Sequence, residues 1–300
     1  MKISNDGRTL TNCCKYYEGD LEIPDGVVVI GRFAFLDCKK VTSVIIPNSV
    51  YKIEYSAFKG CNLSSVKIHN GVKIIGDSAF FDCKSLASIK IPDSIIDIGA
   101  FTFSRCANLS SIEIASKVTK IRIGTFHYCT SLSTIVIPDS VTKIGKASFK
   151  GCTSLSSIVI PDSVTKIVDE AFYECTNLVS INIPHSVTWI GNYSFAKCTS
   201  LTSIKFPSHI TKIGDSSFYG CSNLRSIDIP ETLSRVGWDA FMGCNNLAEI
   251  HLRHKKPTDV LRNNLTLPLS SITLFVPQGS GPAYCHHPYY MKFNNILEEE

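Results

Sequence analysis

Apolar residues recur along most of this chain with a period of 23 positions. One unit reads L-x-x-I-x-I-P-D-S-V-x-x-I-G-x-x-A-F-x-x-C-x-x, and residues 155–177 are a full-length copy with valine at the glycine position. The cysteines that mark the period are Cys38, Cys61, Cys83, Cys106, Cys129, Cys152, Cys175, Cys198, Cys221 and Cys244. The interval is 23 residues throughout except for the 22 residues that separate Cys61 from Cys83. A fixed period of this size predicts a solenoid, in which each unit packs against its neighbours.

Each unit is predicted to contain three segments. The alternation I-x-I is typical of a strand, which the proline ends because it has no N–H to donate. Pro-Asp-Ser favours a turn, and V-x-x-I-G continues as a second extended segment. The spacing of A-F-x-x-C favours a short helical turn, of the 3₁₀ type. The sequence therefore predicts an α/β repeat solenoid with helical turns on its outer side.

The glycine that follows the isoleucine of V-x-x-I-G is replaced in three units, by Glu54, Arg122 and Val168. A β-branched valine would be strained in a left-handed backbone. We therefore interpret glycine as convenient at this position and not required there.

The ten periodic cysteines are predicted to be buried free thiols. Equivalent side chains of stacked strands lie about 4.8 Å apart, which exceeds the roughly 3.5–4.5 Å between β-carbons in a disulfide. Each unit supplies one sulfur and no C-x-x-C pair, so a tetrahedral zinc site is poorly served. The expected role is that of a small apolar side chain.

The residue between the two isoleucines of the strand faces outward and varies from unit to unit. A varied row on a rigid sheet is a candidate surface for recognising a partner, and the alternative is a solvated face without a function. The candidate partner-binding residues are Lys67, Lys90, Glu113, Asn182, Lys205, Asp228 and His251. Apolar residues complete the row at Ile45, Val136 and Val159.

A second, partial row of basic residues occupies the other extended segment. It comprises Lys52, Lys120, Lys143, Lys166, Lys212 and Arg235, and it is interrupted at Asp97 and Trp189. Such a row could hold an anionic polymer. Because Asp93, Asp139, Asp162 and Glu231 lie nearby, solvation is the favoured interpretation.

The composition and motifs of the chain argue against several classes of function. The chain has 300 residues, 44% of them apolar and 19% charged, with a net charge of +4. That charge is too mild to indicate a nucleic-acid partner. No apolar run reaches the roughly 20 residues that span a bilayer. No glycine-rich phosphate loop, paired carboxylates or nucleophile motif is present, so the sequence predicts no catalytic residue, no metal, no cofactor and no enzymatic activity.

The repeat resembles the BspA-type leucine-rich repeat, also called the Treponema-type repeat. The resemblance covers residues 20–253, with His69 and Ala115 where proline is usual and Phe206 in place of an inward isoleucine. It implies a right-handed coil with a parallel sheet on the concave face. Residues 274–279, 283–284 and 293–296 are similar to the capping strand and helix that follow such repeats. We expect a solenoid over residues 1–253, with a degenerate cap repeat at 1–30, and a C-terminal cap over 254–300.

The resemblance also implies a non-catalytic scaffold that binds a protein or a glycan, often as an adhesin on a cell surface. Residues 1–8 show no apolar signal-peptide core. An intracellular assembly scaffold is therefore the alternative.

Three further groups lie outside the period. Cys13-Cys14 and Cys285-His286-His287 could ligate a metal, but adjacent residues rarely converge on one ion, so packing in the caps or exposure is favoured. Residues 298–300, three glutamates, are expected to be a frayed, solvated end.

Overall fold

The structure is a computed structural model that describes residues 1–13, 17–261 and 268–300. It divides into two compact units, unit 1 over Met1–Leu155 and unit 2 over Ser156–Glu300. Both units are built from short strands that successive repeats stack in parallel. The β-solenoid of stacked parallel coils is thus confirmed within each unit.

Unit 1 contains thirteen of the described strands. They are β1 (Lys2–Ile3), β2 (Thr9–Asn12), β3 (Gly19–Glu22), β4 (Val29–Ile30), β5 (Val41–Ile46), β6 (Lys52–Ile53), β7 (Ser65–Ile68), β8 (Ile74–Ile75), β9 (Asp97–Ile98), β10 (Ser111–Glu113), β11 (Lys120–Ile121), β12 (Thr134–Val136) and β13 (Lys143–Ile144). The I-x-I segments form the parallel ladders β3-β5-β7 and β10-β12. The V-x-x-I-G segments form the ladders β2-β4-β6-β8-β9 and β11-β13, and β1 pairs antiparallel with β2.

Unit 2 contains the remaining strands and the short helices. They are β14 (Lys166–Ile167), β15 (Trp189–Ile190), β16 (Ser203–Lys205), β17 (Lys212–Ile213), β18 (Ser226–Ile229), β19 (Arg235–Val236), β20 (Glu249–Leu252), β21 (Thr273–Pro277), α1 (Gly281–Cys285) and β22 (Asn295–Glu299), with 3₁₀ turns at Leu269–Ser271 and Tyr290–Lys292. The parallel ladder β16-β18-β20-β21-β22 extends the I-x-I segments to the C-terminus.

Columns of phenylalanine fill the core. In unit 1 the rings of Phe35, Phe58, Phe80, Phe103, Phe126 and Phe149 are completely buried. Successive rings in this column are nearly parallel, with centroids 4.7–5.8 Å apart. Unit 2 holds an equivalent column of Phe172, Phe195, Phe218 and Phe241, at 5.3–5.4 Å. Stacking one identical large ring per repeat removes a large apolar area from water and fixes the register of the coils.

The A-F-x-x-C segments are not helices, so the α/β prediction is wrong in its helical part. In the first repeat of unit 1, the amides of Phe33, Phe35 and Asp37 donate to carbonyls of the next repeat, at 2.7–3.2 Å. The amides between them, and that of Cys38, donate to carbonyls three residues earlier. Only alternate amides therefore make the expected 3₁₀ bonds. A helix directs every amide along its own axis, whereas this segment shares its amides with the neighbouring coil.

Two residues per repeat adopt positive φ to achieve this alternation. They lie five positions and one position before the cysteine, with φ between 51° and 78°. In unit 1 they are Phe33, Asp37, Ser56, Gly60, Ser78, Asp82, Phe101, Arg105, Gly124, Tyr128, Ala147 and Gly151. In unit 2 they are Glu170, Glu174, Tyr193, Lys197, Ser216, Gly220, Asp239 and Gly243. Most are not glycine, so each repeat carries backbone strain that the stacked coils hold in place.

The glycine of V-x-x-I-G allows neighbouring backbones to pack closely and does not adopt a left-handed conformation. At Gly99, φ is not positive, but a β-carbon would lie 2.3 Å from the backbone nitrogen of Asp77 in the preceding repeat. Val168 at the equivalent position of another repeat is not left-handed either. Glycine there permits a close approach of two backbones, and the absence of positive φ at this position agrees with the interpretation that no left-handed conformation requires it.

The C-terminal glutamates are not frayed. Glu298 and Glu299 belong to β22, which pairs in parallel with β21. The Glu298 carboxylate accepts hydrogen bonds from the backbone amides of Gly279, at 3.0 Å, and Gly281, at 2.7 Å. These amides lower the pKa of Glu298. The expectation of a frayed end is wrong for Glu298 and Glu299, because the sheet continues through them, while Glu300 follows the strand and is exposed.

Candidate partner-binding surface

The residues between the two isoleucines of each I-x-I segment form the outward strand row. In unit 1 this row is exposed, and some of its residues lie directly opposite each other on neighbouring strands. Lys67 in β7 lies directly opposite Ile45 in β5, and Glu113 in β10 lies opposite Val136 in β12. Lys90 belongs to the repeat between them, where the structure assigns no strand but Ser88 bridges to Ser111. Lys67, Lys90 and Glu113 are all exposed, and Val136 is 58% exposed.

The same residues line an open groove of about 800 Å³ in unit 1. Lys67, Lys90, Glu113 and Val136 contribute their outward side chains. The turns after the strands add Asn48, His69, Asn70, Pro92, Asp93, Ala115, Ser116 and Pro138 to the lining. Sequence reasoning missed these turn residues as part of a site. The available signal was the loss of the usual proline at His69 and Ala115.

The charges in the groove are unpaired. Within the described part of the chain, the side chains of Lys67, Lys90 and Glu113 make no ion pair and no hydrogen bond. Asp93 in the adjoining turn is exposed as well. Charged groups that have no internal partner keep their full capacity to pair with an incoming ligand, and the groove offers both signs.

In unit 2 the equivalent row is in register over four repeats. Asn182 bridges to Lys205, which lies opposite Asp228, and Asp228 lies opposite His251. Phe275 of β21 continues the row, and its ring stacks on the His251 imidazole with centroids 4.6 Å apart. The structure therefore brings together all four of the predicted residues in this unit.

Two of those four residues are already engaged, Asp228 by Arg253 and His251 by Glu299 of the C-terminal strand. Arg253 donates to both carboxylate oxygens of Asp228, at 2.9 and 2.8 Å, and to Glu299 at 2.8 Å. Nδ1 of His251 lies 2.9 Å from the other oxygen of Glu299. Asp228 and His251 thus belong to an internal ionic network, while Asn182 and Lys205 stay exposed.

The cysteine columns are not a reactive site. The thiols are buried, as expected. The thiols from Cys61 to Cys152 in unit 1 and from Cys198 to Cys244 in unit 2 donate a hydrogen bond to the carbonyl of the phenylalanine 25 or 26 residues earlier. In unit 1, Cys61 donates to Phe35, and Cys129 donates to Phe103 at 3.0 Å. Burial raises the pKa of the Cys129 thiol well above its ordinary value and raises that of Cys244 to about 12. The periodic cysteine is therefore a hydrogen-bond donor as well as a small apolar side chain.

The remaining metal candidates do not form a cluster. Residues 1–13, 17–261 and 268–300 contain no group of three or more metal-ligating side chains close enough to hold an ion. Cys13 is buried, and Cys14 lies outside the described residues. Cys285 ends α1 exposed, and Nδ1 of the neighbouring His286 lies 2.6 Å from the Pro282 carbonyl.

The model of the BspA type leucine rich repeat region, in six copies, matches residues 10–132 and 119–248. The chain belongs to the BspA-type leucine-rich repeat family. The resemblance inferred from the repeat is thereby confirmed. Proteins of this family are in general noncatalytic repeat scaffolds, and no enzyme family is matched. No curated protein matches the chain.

Solved structures of bacterial leucine-rich repeat proteins are similar to this BspA-type chain. A leucine-rich repeat protein from Bacteroides ovatus is 29% identical, with a TM-score of 0.57, over 86% of this chain and 77% of that one. A leucine rich cell surface protein from Faecalibacterium prausnitzii is 28% identical, with a TM-score of 0.50, over 100% and 92%. The pneumococcal vaccine antigen PcpA, at 16% identity and a TM-score of 0.53 over 98% and 92%, shares the fold alone. Across the part of the chain that is described, no helix is long and apolar enough to span a membrane.

Proposed function

We propose that this BspA-type protein is a non-catalytic scaffold that binds a protein or glycan partner through the outward strand row. The observation that carries the proposal is the groove of unit 1, where Lys67, Lys90 and Glu113 are exposed, unpaired and held on stacked coils. A rigid backbone lowers the entropy that is lost on binding, so such a surface is preorganised for recognition.

An adhesive role on a cell surface is the form of this function that we favour. It is supported by the Faecalibacterium relative, which is named as a leucine rich cell surface protein and is 28% identical over the whole chain. In unit 2, Asn182 and Lys205 are the predicted polar residues of the row that stay exposed, and we assign them a supporting role. Asp228 and His251 contribute less because Arg253 and Glu299 already hold them.

The test begins with purified extracellular-matrix proteins and a glycan array, each probed with the intact chain. Every binder is then measured with the variant Lys67→Glu/Lys90→Glu. The control is Lys120→Glu/Lys143→Glu, which reverses the same amount of charge on exposed lysines of the same unit but outside the groove. We expect the groove variant to lose at least about tenfold in affinity, since reversing charge at an interface replaces attraction by repulsion.

The control variant should bind with wild-type affinity, and both variants should keep the wild-type melting temperature. Equal loss in the two variants would show that net charge and not the groove drives binding. No binder in either panel, or binders indifferent to the groove variant, would contradict the proposal.

A further inference from the structure

Unit 2 presents a second outward row on the strands of the V-x-x-I-G segments, in which Lys166 and Arg235 are exposed and Trp189 and Lys212 are half-buried. Lys166 of β14 lies opposite Trp189 of β15, Trp189 lies opposite Lys212 of β17, and Lys212 lies opposite Arg235 of β19. The next residue of each strand is buried, so these four side chains share one outward face. Three cations and one indole thus follow one another on a rigid parallel ladder.

The cations of this row have no internal partner. Among the described residues of unit 2, the side chains of Lys166, Lys212 and Arg235 make no ion pair and no hydrogen bond. Like charges on adjacent strands repel each other and destabilise the pairing. Lys212 and Arg235 are adjacent in this way, so an anion bound across them would relieve the repulsion.

Acidic residues that are close to the row in sequence offset its positive charge only in the first and last repeats. The residue after the turn proline is Asp162 in the first repeat of the row and Glu231 in the last, but His185 and Ser208 in the two middle repeats. Further along the repeat, Asp169 accepts the backbone amide of Asn192 at 2.8 Å, and Asp215 accepts that of Trp238 at 3.0 Å. These two carboxylates are committed to the next repeat.

Unit 1 offers no comparable row. Its equivalent positions are Val29, Lys52, Ile74, Asp97, Lys120 and Lys143. Ile74 and Asp97 interrupt the cations, and Lys52 lies 3.4 Å from Glu54 while Asp97 pairs with Arg122 at 3.0 Å. The uninterrupted arrangement of cations around an aromatic ring is therefore a property of unit 2 and not of the repeat in general.

We propose that the row Lys166–Trp189–Lys212–Arg235 binds a linear acidic polysaccharide. Adjacent strands lie about 4.8 Å apart, which places Lys166 and Lys212 about 10 Å from each other with the indole between them. A sugar ring can stack its C–H face on the indole while the sulfate or carboxylate groups on either side pair with the lysines. A single-stranded nucleic acid fits less well, because such sites stack successive bases on several aromatic side chains and this row has one.

The chain permits a direct fluorescence test, because its only two tryptophans are Trp189 and Trp238. In the variant Trp238→Phe, Trp189 is the sole reporter. We expect a heparin octasaccharide, titrated at low salt, to change its emission in a saturable way. Added to this background, Lys166→Glu/Lys212→Glu should weaken binding at least about tenfold, since both flanking charges then repel the ligand. The matched charge control, Lys67→Glu/Lys90→Glu, reverses two exposed lysines that do not belong to this ladder and should leave the affinity unchanged.

Other outcomes would overturn the proposal. Tighter binding of a thymidine oligonucleotide than of the octasaccharide would make the row a nucleic-acid surface. Equal losses of affinity in the two charge-reversal variants would show that the net charge of the protein, and not the row, drives binding. If the double reversal does not fold, Lys166→Gln/Lys212→Gln removes the same cations with less disturbance and is judged by the same criterion. The groove variant Lys67→Glu/Lys90→Glu should bind the octasaccharide normally, which separates this proposal from the groove's function.

Discussion

The Sγ atom of Cys61 lies 2.9 Å from the carbonyl oxygen of Phe35 and donates a hydrogen bond to it. The same oxygen accepts the backbone amide of Cys38, at 3.1 Å. One carbonyl thus receives a donor from its own repeat and a second from the next. Equivalent bonds recur in unit 1 up to Cys152 and in unit 2 from Cys198 to Cys244. This bond explains why the position selects cysteine over other small apolar residues.

Substitution of Cys129 should show whether its thiol stabilises the fold as a hydrogen-bond donor or only by filling space in the core. Cys129→Ala should lower the free energy of unfolding by about 1–3 kcal/mol, because it removes a buried hydrogen bond and leaves a small cavity. Cys129→Ser keeps a donor opposite Phe103 and should lose less than Cys129→Ala. Urea unfolding followed by circular dichroism measures both. A serine variant less stable than the alanine variant would show that the thiol acts through packing alone.

Thiol reactivity should separate Cys285 from the periodic cysteines. Cys285 is exposed, whereas the ten periodic cysteines from Cys38 to Cys244 are buried, and burial raises the pKa of Cys244 to about 12. At pH 8 the buried thiols therefore hold almost no thiolate, which is the reactive form. Iodoacetamide followed by mass mapping should label Cys285 in the native protein and the ten periodic cysteines only after denaturation. Labelling of the periodic cysteines under native conditions, or their recovery as disulfides, would contradict the structure.

Two glycines should respond differently to alanine. Gly99→Ala should destabilise unit 1 by roughly 2 kcal/mol or more, because its β-carbon would overlap the backbone of Asp77. In Gly220→Ala the new β-carbon meets only Lys197, at 3.7 Å or more. The cost there should be about 1 kcal/mol, the penalty of a left-handed alanine. Thermal unfolding of both variants gives the order, and a larger loss at Gly220 would refute our account of the close approach.

The Glu298 carboxylate should make the C-terminal strand sensitive to acid. The amides of Gly279 and Gly281 lower its pKa in the folded chain below the ordinary value of 4.5. A lowered folded pKa means that the stabilisation is complete above the ordinary value and is lost as the pH falls through the folded pKa. Glu298→Gln should therefore melt below wild type at pH 7, and the difference should shrink at pH 3. A difference independent of pH would contradict this role.

Arg253 and Glu299 should be energetically coupled, because their side chains lie 2.8 Å apart and are both partly buried. A double-mutant cycle with Arg253→Met and Glu299→Gln should give a coupling energy of about 1 kcal/mol. The pair Lys197–Glu174, at 3.0 Å on the surface, provides the comparison. Additive effects of the two substitutions would show that Glu299 does not anchor the C-terminal strand through Arg253.

The repeat, the buried columns and the strand segments could be predicted from the sequence because each depends on a period that the residues themselves display. The turn segment could not. Its A-F-x-x-C spacing suits a helix, and only the stack reveals that Phe33 and Asp37 direct their amides to the next repeat. A periodicity identifies which residues are inside but not which neighbour satisfies a backbone group.

The candidate site was predictable in part for the same reason. The alternation placed Lys67, Lys90 and Glu113 outward, but it could not show that Arg253 and Glu299 engage Asp228 and His251. The contact of Arg253 with Asp228 joins residues 25 positions apart, and the contacts with Glu299 join residues 46 and 48 positions apart across a segment without the repeat. The division into a solenoid over residues 1–253 and a cap over 254–300 stays a prediction, as does the binding role of the row.

The interval of 22 residues between Cys61 and Cys83 shows how the architecture tolerates change in length. Cys83 still donates to Phe58, at 3.2 Å, although one residue is missing between these repeats. Because every coil offers its neighbour the same donors and acceptors, a whole coil could be duplicated or removed by recombination without creating a mismatched junction. The length of this protein can thus evolve in steps of one coil, while substitutions of outward side chains alter what each coil recognises.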